Sequence, residues 1–574
     1  MSGLTRTIII VLILLNHTAG YCQRYDFNWV FGYAGGQGDT RWGTSFVDFN
    51  SGNPIVSYQD KGRLYIYEAN ASISDKEGNL LYYTNGYDVE DANFKKVLGA
   101  TNLGIRYWDG LVEPQGVMFL NNPSSDSNNY LFYINIVLNS PHFHVLDLNY
   151  LLIEKFTSKV INRGNVVHDT LNSGCLTSCK HANGRDNWIL LNKENTNIFY
   201  KILVSPSGIS TLSYQNVGPR ITEGAGQAVF SPNGEYFALL DAITFSEGLY
   251  IKLYKFDRCT GELEFIRMEN YPTSSFSGIS FSPNSRYLYY SEQKNLYQID
   301  LQNPESFINL NLIDTIESQT AWGSQYNLHQ LGPDGRIYIS NAYSNFVMHR
   351  INKPNELGKA CLPRSNSFVL KTLGGYGIPN MPNFRLGPVD GSSCDTLGID
   401  NIPWAWWRYD QDTSRYRCFE FVDLSGYLTE ESEPEWYWDL GDGTQSRDTS
   451  PIHCFEKDGV YEVCLIVKNK YGSDTLCRTL NVGTSATNDE GKIEIKSDIF
   501  PNPASDHFVL NVYDYLPESM YLYLINAQGQ TIRRERVFQG SNVIDIEQLP
   551  AGVYSVVIYE RGAVVKTEKI VVRD

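Results

Sequence analysis

The sequence predicts an all-β protein whose largest part is a closed ring of similar blades, and three observations carry that prediction. Between Gln23 and Gly387 a turn-forming cluster followed by a short aromatic strand recurs six times, with strands beginning at Leu80, Tyr130, Trp188, Tyr236, Tyr287 and Ile337. The steps are 50, 58, 48, 51 and 50 residues. Second, a further strand-like run follows in most units, and no helical periodicity separates the strands. Third, the residues after Ile402 also alternate apolar and polar between Gly and Pro turns. A unit of about fifty residues made only of strands and turns cannot bury both of its faces alone, so such units stack around an axis as β-propeller blades. The flanks Trp29–Tyr58 and Phe368–Leu386 are strand-like too. They predict a seventh blade closed by strands from both ends of the ring, with six blades as the alternative.

Each blade is punctuated by its turn. The runs FSPNGEYFALL, FSPNSRYLYYS and LGPDGRIYIS start at Phe230, Phe281 and Leu331. Pro stands at the second position of the turn, and Gly or a polar residue stands where an unusual backbone angle is needed. These runs resemble the repeat of WD-repeat-like and Tol-associated propellers. The ring is assigned to residues 23–390, and 391–401 is read as a linker.

Residues 402–483 contain EWYWDLGDGTQS, SPIHCFEKDGVYEVCLIVKNKYGSD and TLCRTLNV. Trp438, Asp439, Gly441, Asp442 and Gly443, followed by Pro451, His453, Gly459 and Tyr461, resemble the PKD family, which implies an immunoglobulin-like β-sandwich. Leu440 stands where that family usually has Phe. Gly441 and Gly443 permit a tight turn, while Trp438 and Tyr461 face the sandwich core.

Residues 484–492 are small, polar and aperiodic, as expected of a flexible linker. From 493 to 574 three alternating stretches follow. Pro501-Asn502-Pro503, the middle hairpin ending at Gly529, the run containing Gly552 and Tyr554, and Lys569 before the last strand resemble the type A C-terminal sorting domain of type IX secretion cargo. The resemblance implies a Bacteroidota-type exit across the outer membrane. It also implies handling by the secretion machinery and its sorting peptidase, and release or attachment at the cell surface. The N-terminus agrees: residues 1–22 read as a signal peptide, with Arg6 before the apolar run Ile8–Leu15 and cleavage before Gln23 or after Gly20. No later stretch is long and apolar enough for a membrane helix, so none is expected in the mature chain.

A net charge of −17 argues against nucleic acid, whose backbone requires concentrated Lys and Arg, and a hydrophobic content of 42% excludes general disorder. Ten cysteines in an exported chain invite pairing. Cys464 and Cys477 are equidistant from the hairpin at Lys470-Tyr471 and so lie across from each other. Cys418 with Cys454 is a second pair in the same sandwich, and Cys361 with Cys394 is expected to tie the ring to the linker. Cys259 is left as the odd residue, and Cys175 and Cys179 bridge locally or stay reduced.

The search for chemistry finds no nucleophile elbow, zinc-protease helix, phosphate loop or EF-hand, and no cofactor is expected. His142 and His144 share a strand face but lack a third ligand. Asp439 and Asp442 read as a hydrogen-bonded turn, and Trp404, Trp406 and Trp407 as packing between ring and sandwich. The acids Glu113, Glu223 and Asp241 show no spacing that singles out a pair. The expectation is therefore a surface or secreted protein of binding or adhesion type, with the PKD-like unit as spacer and an extracellular glycan or protein as ligand. The alternative is an extracellular glycan-active hydrolase or lyase with its site in the propeller funnel. Loops at equivalent points of successive repeats should gather at one end of the axis, with Tyr87, Asp241 and Tyr343 as candidate contacts.

Overall fold

The computed structural model describes residues 23–573 apart from 36–40, 105–109, 112, 140–141, 223–225, 243–247, 273–275, 317–323, 413–414, 428–431, 484–496, 513–519, 527–529, 538–539, 548 and 561–562. The expected signal peptide, the linker 484–492, Glu223 and Gly529 therefore lie outside the described residues, as do the side chains of His142 and His144. Among the described residues there is no α-helix, only strands and two short 3-10 turns, Pro304–Phe307 and Gly358–Cys361.

Seven antiparallel sheets follow one another along the ring, at 28–59, 71–91, 117–171, 177–216, 227–271, 277–315 and 326–374, here blades 1 to 7. Blades 3, 5, 6 and 7 have four strands paired in sequence order, which places the Pro-containing turns after each first strand at one end of the axis, called lower. The loops after second strands and those leading into the next blade lie at the upper end. The cores form between blades: Ala238, Leu240 and Ile251 of blade 5 pack with Ile279, Leu288 and Tyr290 of blade 6, all fully buried or nearly so. Burying each such side chain contributes about 1.5–3 kcal/mol, which a lone blade could not obtain.

The seven-blade count holds, but the expected mode of closure is not observed. Blade 1 is a three-stranded sheet built wholly from 28–59, and blade 7 is built wholly from 326–374. They meet face to face: the Trp29 ring lies 5.3 Å from that of Tyr338, and Ser45 Oγ accepts from the Thr372 amide at 3.0 Å. The flank Phe368–Leu386 does not close blade 1: Phe368–Gly374 ends the last strand of blade 7, and the residues after it are committed to the axis. Gly377 N donates to Tyr67 O and Asn380 N to Asn70 O. Asn380 Nδ2 donates to the carbonyls of Val117 and Leu176 on two further blades, each at 3.0 Å. Below that, Asn383 Nδ2 reaches Pro232 O in the lower turn of blade 5, and Arg385 pairs with Asp26 at 2.7 Å. Residues 375–387 thus thread the ring from upper to lower mouth and tie several blades together.

The thread delivers the chain to blades 4 and 5, which corrects one disulfide. Asn183 bridges Pro388, Arg258 donates to Gly387 O, and Cys394 is bonded to Cys259. Cys361 is instead fully buried between blades 6 and 7 with Tyr289 and Tyr326, and it is free, as are Cys175 and Cys179. The two sandwich bridges, Cys418–Cys454 and Cys464–Cys477, are present, each joining directly opposed residues of neighbouring strands.

The sandwich comprises a sheet of Trp407–Gln411, Cys418–Asp423 and Ile452–Cys454 over one of Gln445–Ser446, Glu435–Asp439, Gly459–Asn469 and Gly472–Val482. It docks on the lower ends of blades 7 and 1. Trp406 lies against Phe27, with ring centroids 4.9 Å apart, and stacks beneath Arg24 and Arg478. Arg336 of blade 7 is held between Asp334 and Asp410, Arg408 donates to Asp334 O, and Lys353 pairs with Glu420 at 2.7 Å. Trp404 joins this interface, whereas Trp407 faces Trp438 inside the sandwich. The expected spacer is thus a fixed base under the ring.

The C-terminal domain is a second sandwich, 497–572, with its own core around Phe508, Leu522, Tyr554 and Ile570. Its motif residues act as clamps: Asn502 donates to Lys569 O and accepts from the Val571 amide, and Tyr554 Oη donates to Pro550 O.

Candidate functional site

The upper mouth collects aromatic rings from five separate segments. Tyr33 at the end of the first strand lies 5.5 Å from Trp42, 6.0 Å from Tyr65 and 6.5 Å from Tyr67, centroid to centroid. Tyr67 lies 4.7 Å from Tyr376 at the top of the axial thread. Tyr376 in turn lies 5.8 Å from Phe276 and 6.2 Å from Tyr343. The loop after a second strand supplies Tyr343, inter-blade loops supply Tyr65, Tyr67 and Phe276, and the thread supplies Tyr376. Trp42 and Tyr65 are each 37% exposed, and Tyr67, Tyr343 and Tyr376 are half-buried, so the basin shows apolar ring surface and phenol hydroxyls to solvent.

Glu68, which follows Tyr67 in the chain, and Glu113 lie on adjoining segments, since Ala69 N donates to Leu111 O. Glu113 is buried and accepts from the Ser173 hydroxyl. Burial, reinforced by the neighbouring Glu68 charge, pushes it up to about 8. Glu68 is half-buried, and burial pushes it up to about 7. At neutral pH the pair holds at least part of its protons and can both donate to and accept from a ligand.

The three contacts expected from sequence fare differently. Tyr343 is in the basin. Tyr87 is half-buried and donates to Asn102 Oδ1 outside the basin. Asp241 is corrected: it is 1% exposed, is ion-paired with the equally buried Lys252, and accepts from the Thr222 amide at 3.1 Å and hydroxyl at 2.9 Å. Its carboxylate is thus committed to Lys252 and Thr222 in this structure. In the sandwich, Asp439 accepts from the Gly441 amide, and Asp442 accepts from the Thr444 amide and bonds His453 Nε2 at 2.7 Å, the arrangement of a hydrogen-bonded turn. Among the described residues no three His, Cys, Asp or Glu side chains group as metal ligands.

Titration of buried groups near the axis sets a stability optimum. His329 donates to or accepts from the hydroxyls of Ser280 and Ser291, and burial holds it and His349 down to about 3. The unfolded chain takes up these protons near the ordinary His value of about 6.5, so stability is fully present above that pH and falls below it. The slope is about 1.4 kcal/mol per pH unit for each His. Glu68 and Glu113 act in the opposite sense. The stability from their protonated forms is fully present below the ordinary Glu value of about 4.5 and is lost as pH rises to about 8. Urea unfolding from pH 4 to 9 should therefore show a plateau between about pH 4.5 and 6.5, where the two opposing slopes cancel, with stability falling on either side, and Glu113→Gln should flatten the alkaline side. An unchanged alkaline slope in that variant contradicts the assignment.

Comparison with known proteins agrees with the two C-terminal units. Residues 410–483 match the family model described as PKD domain, and residues 498–573 the one described as secretion system C-terminal sorting domain. Collagenase ColQ1 of Bacillus cereus (strain Q1) is 41% identical over 44 residues, 8% of this chain and 5% of that protein, so the match spans about a twentieth of that relative's length. The PKD1 domain of Vibrio anguillarum Epp is 26% identical over 15% of this chain and 96% of its own, with a TM-score of 0.13. The β-propeller domain of Myceliophteria thermophila Cps50 (Swd1) is 9% identical over 55% of this chain and 94% of its own, with a TM-score of 0.31. Fold and matches together define the class: a type IX-secreted protein, exported to the cell surface or beyond it, carrying a propeller and a PKD domain. No helix among the described residues is long and apolar enough to cross a membrane.

Proposed function

We propose that this chain is an exported binding protein of adhesion type, whose upper propeller mouth takes a glycan or a peptide segment outside the cell. The observation that carries the reading is the convergence of Tyr33, Trp42, Tyr65, Tyr67, Tyr343 and Tyr376 on one rim. Rings of this kind offer large contact area at low entropic cost, with hydroxyl handles for orientation.

The Glu68–Glu113 pair supports a second reading, glycoside hydrolysis, because a protonated and an ionised carboxyl flanking one bond are what that chemistry uses. One experiment separates the two. The mature chain from Gln23 is applied to glycan and peptide arrays, followed by Tyr67→Ala and Glu113→Gln variants, with released products read by mass spectrometry. Capture that falls at least tenfold in Tyr67→Ala, without product, is the expected result. Product formation abolished in Glu113→Gln establishes the hydrolase instead.

A further inference from the structure

Beneath the ring lies a half-open recess distinct from the upper mouth. A cavity of about 710 Å³ is bounded above by the axial thread, laterally by the lower turns of blades 5 to 7, and below by the sandwich. Its volume falls within the roughly 300–1,000 Å³ usual for small-molecule sites.

The lining specifies the ligand chemistry by charge and by unmet hydrogen bonds. Its cations are already neutralised: Lys353 by Glu420, Arg385 by Asp26 and Arg408 by Asp410. Phosphate and carboxylate ligands therefore find no uncommitted partner among the described residues. The polar wall combines amides and hydroxyls, including Gln115, Asn284, Asn355 and Ser178, with the carboxylates of Asp26, Glu356, Glu420 and Asp423. The Ser178 hydroxyl and the carbonyl oxygen of the Asn352 side chain have no hydrogen-bond partner among the described residues. The flat apolar surfaces are Pro283, Pro333 and Trp436, the last fixed by its indole N–H donating to Asp423 at 2.8 Å. Flat apolar patches interleaved with neutral donors and acceptors match the two faces of a sugar ring.

We infer that this interdomain cavity is a separate binding site for a short neutral oligosaccharide, two or three sugars long. The docked sandwich forms half of it, which gives the fixed interface a role beyond spacing. The site is independent of the upper mouth, from which the thread separates it.

The test uses the full mature chain, titrated calorimetrically with cellotriose, maltotriose and chitotriose. Thr449→Trp obstructs the cavity from an exposed position on the sandwich wall, and Ser178→Ala removes the unpaired hydroxyl; Tyr376→Ala serves as the upper-mouth control. The expected result is one-to-one binding of at least one trisaccharide, weakened at least tenfold by Thr449→Trp and unchanged by Tyr376→Ala. Hydrogen exchange should also slow at 282–286 and 352–356 on binding. Failure of all three sugars to bind, insensitivity to Thr449→Trp, or loss of binding in Tyr376→Ala overturns the inference. The upper-mouth reading survives each of these outcomes, since its own array result is read separately.

Discussion

Asp241→Asn is expected to destabilise the ring by about 3–5 kcal/mol, the cost of leaving a buried cation without its partner. Lys252 is 1% exposed and its ammonium has two acceptors, the Asp241 carboxylate and Arg220 O. The amide of Asn retains the shape of the carboxylate but not its charge, so Lys252 must lose its proton or draw in water. Thr222 also loses its charged acceptor, which loosens the approach to blade 5. Asp241→Asn combined with Lys252→Met should recover most of the loss, because a packed apolar side chain needs no partner. Urea denaturation of the three variants measures this. A single-variant loss below about 1 kcal/mol would show the pair to be solvated and would return Asp241 to the list of ligand contacts.

Deleting residues 493–574 is expected to abolish appearance of the protein at the cell surface and in the medium while leaving ring and PKD sandwich folded. The core of the C-terminal sandwich, around Phe508, Leu522 and Ile570, contains no residue from the rest of the chain. Its removal therefore takes no packing from the ring. The matched sorting domain, by contrast, is the part that type IX export requires. Fractionation should recover the truncated chain in the periplasm, resistant to brief proteolysis. Equal amounts outside the cell with and without these residues would contradict the assignment.

The blades were legible because their turns are local: Pro232, Pro283 and Pro333 mark the lower end of three successive blades, and the residues after each turn alternate as a strand must. The two sandwich disulfides were legible for the same reason, since a hairpin fixes which residues face each other. What the sequence concealed is long-range. The flank Phe368–Leu386 resembles a closing strand, yet beyond Gly374 it leaves the sheet, and the Gly377 and Asn380 amides donate to Tyr67 O and Asn70 O, far away in sequence. No local pattern announces a thread. That thread moved Cys394 from Cys361 to Cys259 and placed Tyr376 in the upper mouth. Asp241 misled because an acid at a strand end looks exposed, and only the facing strand shows Lys252 opposite it. Glu68 and Glu113 became a pair only through the contact between two inter-blade segments, Ala69 against Leu111.

The most direct measurement is the affinity of the mature chain for an arrayed ligand whose capture is insensitive to Thr449→Trp, compared with Tyr376→Ala, Tyr343→Ala and a lower-face substitution at Asn355. Removing an aromatic anchor at the centre of a binding patch costs about 2 kcal/mol or more. The account therefore predicts that Tyr376→Ala weakens binding at least tenfold, Tyr343→Ala weakens it less, and Asn355→Ala leaves it unchanged. Equal affinity of the wild-type chain and Tyr376→Ala would place the ligand elsewhere and contradict the claim.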